Sequence, residues 1–102
     1  MTVEYAAPEQ FSDSASTDDR TDIYQLGAVF YELFIGQPPF EGEMFAVMKQ
    51  IENERPTPPS GIADVPAALD EILPRALAKE PDDRYSDIVY LRDDLQKLFD
   101  QP

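Results

Sequence analysis

A chain of 102 residues with 42% hydrophobic residues can bury one modest core, which excludes two independent domains. It has neither cysteine nor histidine, so a disulfide framework, thiolate metal ligands and the commonest general base and zinc ligand are all excluded. Its 21 acidic against 8 basic residues leave a formal net charge of −13. That balance repels nucleic acid and fits a solvated acidic face, a basic partner or, favoured by the scarcity of lysine, adaptation to high salt.

No run approaches the roughly 18 apolar residues needed to span a membrane. The N-terminus also lacks the basic-then-apolar pattern of an export signal. No membrane partner and a cytoplasmic location are expected. The first sixteen residues read as irregular, with Pro8 and a Ser/Asp/Ala stretch from Ser12 to Thr17 that has no apolar face. Helix signals begin after Asp18 and Asp19, either of which can cap a first turn.

The segment Arg20 to Ile35 carries apolar side chains on every side of a helix, interrupted after Asp22 only by Gln25 and Glu32. Such a helix belongs in the middle of a core. Gly36 suits the left-handed residue that ends it, and Pro38 and Pro39 prevent continuation. Met44, Phe45, Val47, Met48 and Ile51 form one face of a second helix running to about Glu54, read as core in preference to a docking surface. Proline stops it in the loop from Arg55 to Gly61. A third helix is expected from about Pro66, with Leu69, Ile72, Leu73, Ala76 and Leu77 inward and a kink or local loosening at Pro74. The fourth starts near Ser86, turns Ile88, Leu91, Leu95 and Leu98 inward, and ends near Phe99. With no strand-length alternation, the expected fold is all-α, a four-helix arrangement in which the first helix is central and buried. The adjacent pairs Asp18/Asp19, Asp82/Asp83 and Asp93/Asp94 lack the spaced ligands and glycine turn of a calcium loop, so no metal site is expected.

Four motifs stand in a fixed order. Thr2-Val3-Glu4-Tyr5-Ala6-Ala7-Pro8-Glu9-Gln10 comes first, then Asp22-Ile23-Tyr24-Gln25-Leu26-Gly27 and Gly36-Gln37-Pro38-Pro39-Phe40. The last is Ala76-Leu77-Ala78-Lys79-Glu80-Pro81-Asp82-Asp83-Arg84-Tyr85-Ser86. Together they resemble the serine/threonine protein kinase catalytic domain, nearest its bacterial-type members, from the end of the activation segment to the last helix of the large lobe. The resemblance covers practically the whole chain, as one partial kinase domain over residues 1–102.

The resemblance implies that Thr2, Val3, Glu4 and Tyr5 belong to the loop that receives the substrate, with Ala7, Pro8 and Glu9 as its supporting triplet. Glu9 would pair with Arg84, and Gly27 would sit on the central helix. Asp22 would accept backbone hydrogen bonds from a catalytic loop, or is equally a plain first-turn aspartate favoured by the helix dipole. Phosphoryl transfer in the family also needs a glycine-rich loop, a strand lysine, a His-Arg-Asp loop and an Asp-Phe-Gly metal site, and none occurs here. These 102 residues are therefore expected to hold no catalytic, cofactor or metal residue and to be inert alone. ATP and Mg are implied for an intact parent that phosphorylates protein substrates. Met1 stands where the family has glycine, as an introduced or a natural truncated start. A natural non-catalytic interaction module is the alternative, and an unrelated acidic bundle would leave the motif order unexplained. Self-association is expected through the central helix, where some of Tyr24, Ala28, Tyr31 and Ile35 would be uncovered without the family's preceding helix and catalytic loop.

Overall fold

The computed structural model describes residues 3–12 and 18–100, and among them there are helices and turns but no strand. The elements are a 3-10 turn at Val3–Tyr5, then α1 (Glu9–Ser12), α2 (Asp19–Ile35), α3 (Met44–Asn53), α4 (Leu69–Ala76) and α5 (Ile88–Asp100). Two further single 3-10 turns, Pro59–Gly61 and Pro81–Asp83, interrupt the loops before α4 and α5. No helix of the described residues is long and apolar enough to cross a membrane.

The opening segment is more ordered than its composition suggests. Behind Pro8, the N–H groups of Gln10 and Phe11 reach back to the carbonyls of Ala7 and Pro8 at 3.0 and 3.1 Å. The Gln10 side chain in turn accepts from the Ala7 N–H at 2.8 Å, so a single helical turn closes where an irregular lead-in was expected. Met1, Thr2 and most of the Ser12 to Thr17 stretch lie outside the described residues.

Helix α2 is the centre of the fold, touching the Val3–Tyr5 turn, the Pro59–Gly61 turn, α4 and α5. Of the two candidate caps, Asp18 is the one used: its carboxylate accepts from the Arg20 N–H at 2.8 Å. At the other end Gly36 adopts φ 95° and returns its N–H to the Glu32 carbonyl, which a residue with a Cβ would do only under strain. The uniform apolar character of α2 does not mean uniform burial. Ile23, Tyr24, Ala28 and Tyr31 are buried, while Leu26, Val29 and Leu33 on the opposite face are 38%, 42% and 71% exposed. The other elements pack mainly against one side of α2, and α5 only partly shields the other. The uncovered residues are thus not those expected: Tyr24, Ala28 and Tyr31 fill the core, and Ile35 is half-buried.

Gly27 lets α4 approach α2 closely, because a Cβ there would lie 2.9 Å from the Ala76 Cβ and 3.3 Å from Leu77. The α4 face is buried as its spacing predicts, at Leu69, Ile72, Leu73, Ala76 and Leu77. Its first turn, from Pro66, is bonded in the tighter i to i+3 manner, so the α-helix begins only at Leu69. It continues through Pro74 to Ala76. In α3 only Val47 and Ile51 enter the core, whereas Met44 and Phe45 are exposed. In α5, Asp87 accepts from the Val89 N–H at 2.9 Å, moving the start two residues past Ser86. Leu91 and Leu95 are buried as expected, but Ile88, in the first turn, is 42% exposed.

Candidate functional site

Two remote pieces of sequence meet beside the first turn of α2. Glu9 arrives on α1, and Arg84 follows the Pro81–Asp83 turn, 75 residues away in sequence. The guanidinium grips the carboxylate with two parallel bonds, Nη1 to Oε2 and Nη2 to Oε1, both 2.8 Å. Its remaining N–H groups reach the carbonyls of Ala78 (2.8 Å), Arg20 (2.9 Å) and Lys79 (3.2 Å). Every guanidinium donor therefore has an acceptor, which is what allows the Arg84 side chain to be fully buried. The guanidinium carbon also lies 5.0 Å from the centre of the Tyr24 ring, whose electron-rich face favours a cation.

Glu9 is equally well provided for. Besides Arg84, the Thr21 hydroxyl donates to Oε2 at 2.5 Å. Burial by itself would oppose ionisation of Glu9, but the hydrogen bonds from Arg84 and Thr21 outweigh it and hold the pKa down to about 2, from an ordinary 4.5. Thr21 is 4% exposed and was not singled out from the sequence. The signal that could have found it is the Asp18-x-x-Thr21 spacing of a helix start: the Thr21 hydroxyl also accepts from the Asp18 N–H at 3.3 Å.

Ala6 and Ala7 are buried next to Glu9, with Pro8 half-buried, so the triplet forms a solid base for what precedes it. On that base the Val3–Tyr5 turn packs against α2 and α3, closed by the Ala6 N–H bonding to the Val3 carbonyl at 3.1 Å. The Tyr5 hydroxyl donates to Glu32 of α2. That bond to a carboxylate raises the pKa of Tyr5. Glu32, which the sequence presented only as an interruption, thus anchors the turn. A shallow cleft of about 580 Å³ opens between the turn and α3, lined by Val3, Glu4, Phe11, Met44 and Met48 among others.

The remaining expected residues lie apart from this hub. Asp22 is exposed in the first turn of α2, and its carboxylate accepts no hydrogen bond from the described residues. It borders a small cleft with Asp19, Leu26, Asp87 and Ile88. Gly27 serves the α2 and α4 contact, and Thr2 lies outside the described residues. Among the described residues no group of three or more acidic side chains is placed to hold a metal ion.

The chain matches the family described as protein kinase domain over residues 1–99. It is 43% identical to serine/threonine-protein kinase PknB of Mycolicibacterium smegmatis, covering 97% of this chain and 16% of that protein. A serine/threonine-protein kinase of Myxococcus xanthus is 44% identical over 93% of this chain and 14% of its own length. PknE of Mycobacterium tuberculosis is 42% identical over 82% of this chain and 15% of its own length. The chain thus spans about one sixth of the length of these relatives, yet is aligned over most of its own. A match over nearly all of its residues, on an all-helical fold whose Ala-Pro-Glu segment is tied to the loop before α5, means that the chain belongs to the protein kinase domain family, alongside bacterial serine/threonine kinases.

Proposed function

We propose that these residues supply the substrate floor and helical scaffold of an enzyme that transfers phosphate from ATP, with Mg, to serine or threonine hydroxyls in proteins. The observation that carries this reading is the doubly bonded Glu9 and Arg84 pair, which fixes the Val3–Tyr5 turn to the far end of the helical body. Phosphoryl transfer depends on positioning and electrostatics, so a rigid floor for the receiving loop is a contribution these helices can make. The nucleotide and metal contacts must come from other residues. The coding sequence immediately upstream tests this: an in-frame glycine-rich loop, lysine and His-Arg-Asp support it. A stop codon followed by a ribosome-binding signal would overturn it in favour of a non-catalytic interaction module. The 102 residues alone should neither bind ATP with Mg in calorimetry nor phosphorylate a protein.

A finer reading is favoured by the open face of α2. Leu26, Phe30 and Phe34 form, with Ile88, Leu95 and Phe99 of α5, an apolar groove of about 480 Å³. Contiguous apolar surface of this kind seeks a cover. The 102-residue chain is accordingly expected to associate with itself through this groove, and salt should strengthen association by screening the repulsion between two chains of net charge −13. Light scattering showing a monomer at both low and high salt, at millimolar concentration, would rule this out.

A further inference from the structure

Arg84 secures Glu9 to the loop that precedes α5 and, through the Arg20 carbonyl, indirectly to the first turn of α2, but none of its bonds ties the Glu9 carboxylate itself to α2, the helix on which the Val3–Tyr5 turn rests. The side chain that makes the direct tie is Thr21. It occupies the first turn of a 17-residue helix, is 4% exposed, and its hydroxyl has one proton to give. The Asp18 N–H fills one acceptor position of that oxygen at 3.3 Å, and because an ionised carboxylate can only accept, the hydroxyl proton goes to Glu9 Oε2 at 2.5 Å, the length of a charge-assisted bond. The same oxygen atom thus joins the start of α2 to the carboxylate that carries the opening segment.

We propose that Thr21 is a positioning residue: through Glu9 its hydroxyl sets where residues 3–12 sit on α2, and so fixes the Val3–Tyr5 turn against α2 and α3. That this turn faces a protein substrate rests on the kinase reading, whereas the positioning does not. Arg84 is the charge in direct contact with Glu9, and Asp18 and Tyr24 are the other titratable groups coupled to it.

The test compares Thr21→Val and Thr21→Ser in the 102-residue chain, reading the Glu9 carboxyl titration by carbon NMR and amide exchange residue by residue. Thr21→Val should raise the Glu9 midpoint by about one pH unit, the worth of one hydrogen bond to a charged group. It should also lower protection of the Ala6, Gln10 and Phe11 amides about tenfold, with α4 amides unchanged. Thr21→Ser should restore both. If Thr21→Val does not fold, Thr21→Ala removes the hydroxyl without the second methyl and serves the same comparison. An unshifted Glu9 midpoint with normal protection, a serine variant that restores neither, or a uniform loss of protection through α2 and α4 would each overturn the proposal. None of these readouts involves phosphoryl transfer, so the kinase reading can fail while Thr21 stands, and the converse.

Discussion

Replacing Arg84 by methionine removes a guanidinium that is fully buried and serves both Glu9 oxygens and the carbonyls of Arg20, Ala78 and Lys79. The variant leaves a desolvated carboxylate and three carbonyls short of a donor, so it should cost about 3–5 kcal/mol. Domains of this size hold only about 5–15 kcal/mol in total, so the variant should be marginal at room temperature. Glu9→Gln should cost less, about 1–3 kcal/mol, because the amide keeps one acceptor for Arg84 and the guanidinium retains its carbonyls. The double variant should recover part of the Arg84→Met loss, since no charge is then stranded, though the carbonyls remain short. The sign with pH follows from Glu9: its folded pKa of about 2 lies below the ordinary 4.5, so its stabilisation is complete above pH 4.5 and is lost as pH falls toward 2. That shift corresponds to about 3 kcal/mol. Urea unfolding of the four proteins at pH 7 and at pH 3 measures both effects. A coupling below about 0.5 kcal/mol, or an acid sensitivity that Glu9→Gln leaves unchanged, would refute the argument that this pair holds the two ends together.

Gly27→Ala places a Cβ 2.9 Å from Ala76 Cβ, a contact between two groups that cannot rotate away, and should destabilise by about 1–3 kcal/mol by thermal unfolding despite the helix propensity gained. Lys79, whose amine donates to the Gln50 carbonyl at 3.4 Å and lies 4.9 Å from the Phe40 ring centre, has its pKa lowered by burial to about 8. Because that value is below the ordinary 10.5, the folded state sheds the proton first and stability should rise between pH 8 and 10.5. Lys79→Met should flatten that rise in urea titrations. Tyr31→Phe strips the bond from the Tyr31 hydroxyl to the Thr57 carbonyl, 2.7 Å long, and should cost about 1 kcal/mol with no change in pH dependence below pH 9.

The four long helices, their order and the glycine that ends α2 were legible in the sequence, because periodicity, caps and proline act within a few residues of one another. The motif order likewise pointed to Glu9 and Arg84 as partners, although chain-local physics gave them no reason to meet. Tertiary structure decided the rest. An apolar residue is buried only if something packs on its side of the helix, so Tyr24 and Tyr31 lie in the core while Leu33, equally apolar, stands 71% exposed. Thr21 and Glu32 looked like ordinary polar positions on α2 until folding brought Glu9 and Tyr5 to them. The opening segment read as irregular because one helical turn is too short to show a period, and it holds together through bonds to residues far along the chain. Local patterns set where helices can form. Which of their faces become core or carry a buried ion pair depends on contacts between distant segments, and no local pattern encodes those.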